Sequence, residues 1–124
     1  MTRWTSDELN RIGTAEELDI ASRRSDGTLR SPVTIWVVRH SDALYVRAVK
    51  GPSGPWFRGT QTRREGRIRA GGVEKDVTFE EAESGVDDEV DAAYRAKYRR
   101  YAASIVNSVL TPEARAATLK LVPR

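Results

Sequence analysis

The chain has 124 residues, of which 39% are hydrophobic and 31% charged, and a formal net charge of +3. That size and balance indicate one domain, residues 1–124, folding around its own core, with a charge too mild to imply a nucleic-acid partner. Having no cysteine excludes disulfides, thiolate metal sites and thiol nucleophiles, and the single histidine, His40, cannot build a multi-histidine metal site.

The opening "MTRWTSDELNRIG" carries charges where a signal peptide needs an apolar core, and no uncharged run approaches the ~18 apolar residues of a membrane span. These features predict a cytoplasmic protein with no membrane partner. Ser6 followed by "DELNRI" and Gly13 predicts a short capped helix with Leu9 and Ile12 inward. Thr14 with Glu17 fits a capping box and predicts one further turn. "LDIASRR" reads as a strand that ends at the Asp26-Gly27 turn.

"VTIWVVR", 33–39, is apolar on both faces, which predicts a central strand covered on both sides. "HSDA" makes a turn; its His40, Ser41 and Asp42 bear the names of a catalytic triad, but consecutive residues there point in different directions. "LYVRAVK" returns antiparallel, with Leu44, Val46 and Ala48 on one face and Tyr45, Arg47 and Val49 on the other. Residues 56–64 predict a helical turn, and two short strands flank Gly71-Gly72. Asp87 is the expected N-cap of a long helix, "DEVDAAYRAKYRRYAASIVNSVL", with Val90, Tyr94, Tyr98, Tyr101 and Ile105 as its apolar stripe. Thr111-Pro112 starts a last turn, and "TLKLVP" closes the chain as an alternating strand. The predicted class is α+β.

Charge is unevenly spread. Residues 80–91 hold seven acids and no base, whereas 58–69 hold five arginines and one acid. Both blocks are expected to be solvated faces, and the acids lack the spacing and glycine of a calcium loop, so no metal is expected. The arginines leave nucleic-acid binding as a third-ranked function.

The stretch "YVRAVKGPSGPWFRGT", 45–60, gathers cations and large aromatics around a tight turn. Arg47, Lys50 and Arg58 can supply charge, Gly51 and Gly54 close backbone approach, and Trp56 a flat wall for an anionic, ring-bearing ligand. Alternatively, Trp56 and Phe57 are core residues that lock the loop. Tyr94 and Tyr98 either flank a bound ring or belong to a core or subunit interface, and Lys97 either meets an anion or snorkels.

Strand, Asp-Gly turn, "LRSP", paired strands, "PWFRG", a strand pair, a Tyr-rich helix and "LVP" follow one another in an order that resembles bacterial domain-of-unknown-function family 2255. The resemblance runs nearly end to end. More distantly, Gly27, Arg30 and Pro32, then Lys50-Gly51, then Pro55-Trp56-Phe57 are similar to the motif series of deazaflavin-dependent nitroreductase-like proteins. That resemblance implies a small split β-barrel with flanking helices, a homodimer, and FMN or deazaflavin in a groove near the subunit interface. It implies cofactor-binding roles for Arg30, Lys50, Gly51 and Trp56 at the matching positions. From the residues themselves, Arg47 adds charge, Lys50 and Arg58 on the two rims of the loop are expected to hold the phosphate of such a cofactor, and Tyr94, Lys97 and Tyr98 are further candidates on the helix. Arg58-Gly59 stands where that group has Asn-Leu, which leaves open a non-catalytic dimeric barrel that binds a small molecule or a partner protein.

Overall fold

The computed structural model describes residues 3–124. Seven antiparallel strands form one sheet, in the order β2-β1-β5-β6-β7-β4-β3. They are β1 (Leu18–Ser22), β2 (Val33–Ile35), β3 (Val38–His40), β4 (Ala43–Arg47), β5 (Glu65–Ala70), β6 (Val73–Glu81) and β7 (Thr118–Pro123). The two edge strands, β2 and β3, are consecutive in sequence and joined only by Trp36 and Val37. In a flat sheet these edges would stand about 29 Å apart, six inter-strand spacings. Three Cα steps reach about 11 Å at most. The sheet must therefore curl until its edges nearly meet, and the architecture is a split barrel of the α+β class.

The expected central strand over 33–39 is thus corrected to two edges. The reason is visible at Val37, whose backbone leaves the ladder and is satisfied by helix side chains instead. Its N–H donates to the Tyr98 hydroxyl (3.2 Å) and its carbonyl accepts from Lys97 Nζ (2.6 Å). Burial on both faces belongs instead to β4, where Leu44 and Val46 enter one core and Tyr45 the other.

The first core fills the barrel with Leu18, Ile20, Ile68, Val77, Phe79 and Leu121, capped by Leu9 and Ile12 of α1 (Ser6–Thr14). The second lies outside β3 and β4, under α3 (Asp87–Lys97) and α4 (Ala103–Asn107). Two short helices complete the fold: α2 (Pro55–Arg63) and α5 (Pro112–Ala116). The Gly71-Gly72 hairpin forms as expected, both residues at positive φ (+58° and +82°).

Capping differs from expectation. Thr5, not Ser6, caps α1 in a reciprocal box with Glu8, and the Thr14 hydroxyl ends that helix by donating to Asn10 O (2.7 Å), so no Thr14–Glu17 turn forms. A 3₁₀ turn at Ser84–Val86 runs straight into α3, which makes Val86 the cap and Asp87 a first-turn acid. The expected long helix breaks after Lys97, because Tyr98 is seated at the barrel seam and Tyr101 is held on the Glu16 carboxylate. The tyrosine stripe therefore ends early. Tyr94 and Tyr98 are fully buried, while Ile105, past the break, is 48% exposed.

Tyr94 carries a fully buried hydroxyl with no hydrogen-bond partner among the described residues. A hydroxyl held away from water without an acceptor costs ~1–3 kcal/mol. Tyr94→Phe is therefore expected to leave stability unchanged or raise it by about 1 kcal/mol. Chemical denaturation checks this, and a loss above that size would mean the hydroxyl bonds an ordered water.

Candidate functional site

A cavity of about 520 Å³ opens beside the barrel seam. β2 and Trp36 form one side, the end of β4 with Val49 and Lys50 another, and Pro55-Trp56 at the start of α2 a third. Ile105, Ser108 and Val109 close it from the α4 side. Pro55 suits the first helical position because its missing N–H has no partner there in any case, so the sequence "GPW" aims the helix start at this opening.

The three large hydrophobic side chains that are exposed among the described residues are Val33, Val49 and Ile105. All three border this cavity. Trp36 lines it as well, stacked at 3.8 Å and 5° on Tyr98, so its ring is held rigid from behind.

Arg47 lies at the inner end with its side chain fully buried. Its Nε donates to Thr118 Oγ1 (2.9 Å), and one terminal nitrogen donates to Val109 O (2.9 Å) and to the Asp91 carboxylate. The other donates to Asp87 O (3.2 Å). Asp91 is buried too and also receives Arg115 at 2.7 Å. Burial alone would raise the Asp91 pKa, but hydrogen bonds from Arg115 and Arg47 prevail and hold it below the usual carboxylate range. The expectation that the 80–91 acids form a solvated face is therefore corrected at Asp91, which anchors α3 to the barrel. Among the described residues, no three His, Asp or Glu side chains converge as a metal site.

A second cavity, about 280 Å³, adjoins the first and shares Val33, Pro55 and Trp56 with it. Arg24, Arg30, Ser22 and Ser31 are among its lining.

Of the residues singled out in the sequence for this stretch and its motifs, the structure brings Arg47, Lys50, Gly54, Pro55 and Trp56 to the larger cavity and Arg30 with Pro55 and Trp56 to the smaller one. The others lie elsewhere. Gly51 sits at φ +76° with a Cβ-sized space filled by Glu113 (3.0 Å), so it packs the loop on α5. Arg58 is exposed on α2 and lines neither cavity, which separates it from Lys50. Tyr94 lies in the second core with the Arg47 guanidinium 5.6 Å from its ring centroid. Tyr98 and Lys97 hold the seam at Val37. Burial pushes the Lys97 ammonium down to about 8, with Glu16 opposing.

Sequence reasoning missed Val33, Val49, Ile105, Trp36 and Arg24 as lining residues. Val49 shares the outward face of its strand with Arg47, and that was the available signal. Ile105 gave none, since its exposure follows from the helix break.

The architecture places this chain among split-barrel proteins. A protein of unknown function, Atu2129 from Agrobacterium tumefaciens, superposes with a TM-score of 0.64 at 11% identity, covering 98% of this chain and 55% of that one. A FAD-binding protein, mll6688 from Mesorhizobium loti, matches with a TM-score of 0.59 at 14% identity, over 98% of this chain and 91% of that one. A protein described as an F420 reductase matches at 0.50 and 13% identity, over 94% and 90% respectively. No curated protein matches the sequence significantly. Residues 8–121 match the model of the family described as "Uncharacterized protein conserved in bacteria (DUF2255)", and the chain belongs to that family. No helix among the described residues is long and apolar enough to cross a membrane.

Proposed function

We propose that this chain binds a flavin-type cofactor, FMN or a deazaflavin, in the 520 Å³ cavity and does so as a homodimer, the bound cofactor supporting a two-electron reduction. The observation that carries the reading is the convergence of Val33, Val49 and Ile105 on one opening. Exposed apolar groups collected in one place mark a surface that a ligand or a partner covers. The volume lies in the ~300–1,000 Å³ range of small-molecule sites. Two tryptophans supply flat apolar walls, and Lys50 is a solvent-facing cation at the rim. These residues fit a flat ring system bearing an anionic tail. Similar folds described as FAD-binding and as an F420 reductase support the same class of ligand.

When bound, the cofactor's ring would carry the electron pair, while this chain's residues orient it and exclude water. A second reading is favoured by one feature of the lining. It contains no Asp, Glu, His or Tyr, so Lys50 at the rim is its one candidate for a transferable proton, which suits a barrel that binds without catalysing. The visible spectrum of the purified protein, followed by calorimetric titration with FMN and with a deazaflavin, tests the proposal. Binding of either supports it; binding of neither leaves the non-catalytic barrel.

The same apolar rim is expected to hold two copies together. Val49→Asp with Ile105→Asp should convert the protein from dimer to monomer in light scattering, with an unchanged circular dichroism spectrum because both side chains are exposed on the single chain, and with a lower melting temperature because the partner's contribution is lost. A parent protein that scatters as a 13.9 kDa monomer at micromolar concentration would refute the dimer.

A further inference from the structure

We infer that the smaller cavity is a subsite for a phosphate-type anion, held by Arg30 together with Arg24 and Ser31. The arginines of this region divide into two sets. Arg23, Arg67 and Arg69 pair with Asp76 or Glu74, and Arg63 with Glu65. Arg24 and Arg30 meet no carboxylate within ion-pair distance among the described residues, and both face the cavity. Asp26 is close enough to feel the charge of Arg24, but its carboxylate is engaged by the Thr28 N–H (3.0 Å) and hydroxyl (2.7 Å). Arg24 is itself fixed across that turn by donating to Leu29 O (2.9 Å).

Arg30 is the more telling residue. Its Nε is occluded from solvent and has no hydrogen-bond partner, although one terminal nitrogen lies 3.3 Å from the Thr62 hydroxyl. A buried charged N–H without an acceptor is costly, so the guanidinium is poorly satisfied where it packs against Gly59, and an anion in the cavity that draws it round would relieve that cost. The space for Arg30 is built in. A Cβ at position 59 would lie 3.0 Å from Arg30 Nε and 2.7 Å from the Ser22 hydroxyl, so α2 carries Gly59 where the guanidinium passes. Arg30 also borders a third cavity, lined by Arg67 and Arg69 as well as Asp19 and Glu74, but there the other two arginines already pair with Asp76 and Glu74, so the smaller cavity is the one whose arginines are unclaimed. A guanidinium fork with flanking hydroxyls suits phosphate oxygens. Trp56 and Pro55 wall both cavities, so a ligand whose ring fills the larger one has its anion directed into the smaller.

The phosphate can belong to the flavin or to a separate ligand. Only the first case rests on the flavin reading. Calorimetry on the full chain with inorganic pyrophosphate, FMN and riboflavin separates them. The parent should bind pyrophosphate, and Arg30→Gln should weaken that binding by about tenfold or more, the factor for one charge-assisted hydrogen bond. Arg30→Lys, which keeps the charge and loses the fork, should fall between them, and it replaces Arg30→Gln as the deciding variant if circular dichroism shows the latter unfolded. A preference for FMN over riboflavin that disappears in the variant assigns the phosphate to the flavin. Pyrophosphate binding without that preference assigns it to another ligand, and holds even if neither flavin binds. A parent that neither binds pyrophosphate nor prefers FMN, or a variant that retains both properties, overturns the inference.

Discussion

Asp91→Asn is expected to lower folding stability by about 3–5 kcal/mol, the usual consequence of removing one partner of a buried ion pair. Its partner, Arg47, has no exposed side-chain surface, so water cannot replace the lost carboxylate. Asp91 also holds Arg115, which reaches Asp88 as well, so the substitution loosens α3 and α5 together. Guanidinium unfolding measures the loss, and a change below about 1 kcal/mol would mean that Arg47 is satisfied by Thr118, Val109 and Asp87 alone. The pH dependence has a definite sign. Asp91 has a folded-state pKa below its unfolded value, so its contribution is fully present above the ordinary carboxylate range. It is lost as pH falls through the lower folded-state value. Asparagine does not titrate, so the gap between parent and variant should narrow in acid. Replacing Arg47 and Asp91 together by Met and Leu should cost less than Asp91→Asn alone, since no charge is then left unpaired.

This network also explains what was legible in the sequence. Alternation located β1, β4 and β7, and Gly71-Gly72 located the β5–β6 hairpin, because period-two patterning and turn chemistry are local. The division of 33–39 into two sheet edges was not legible. It depends on Tyr98 and Lys97, about sixty residues away, capturing the Val37 backbone. The helix break at Tyr98 has the same origin, since nothing in "YRAKYRRYAAS" halts a helix locally. Arg47 shows the matching limit for the candidate site. A cation on a strand beside a glycine-rich loop reads as a ligand group, and only the fold shows its donors engaged by Asp91, Thr118 and Val109. That Lys50 and Trp56 lie near one another was legible because the loop between them is short, and the structure places both on the lining of the larger cavity.

In the flavin complex proposed above, Trp56 should dominate affinity. It is the aromatic residue that walls both cavities, and it stands half-buried at the start of α2, edge-on to Phe57 with ring centroids 6.3 Å apart. An aromatic anchor of this kind contributes about 2 kcal/mol or more to a complex, so Trp56→Ala should weaken FMN binding about thirtyfold. Part of the ring also packs against the first core, and truncation will cost some stability. Trp56→Phe separates the two effects. It keeps a flat apolar wall and much of the packing, so affinity should recover most of the way while the melting temperature rises towards that of the parent. Both variants are titrated well below their melting temperatures, with folding confirmed by circular dichroism. Parent-like FMN affinity in Trp56→Ala would remove the two adjoining cavities from the flavin site and move the search to the outer face of the barrel.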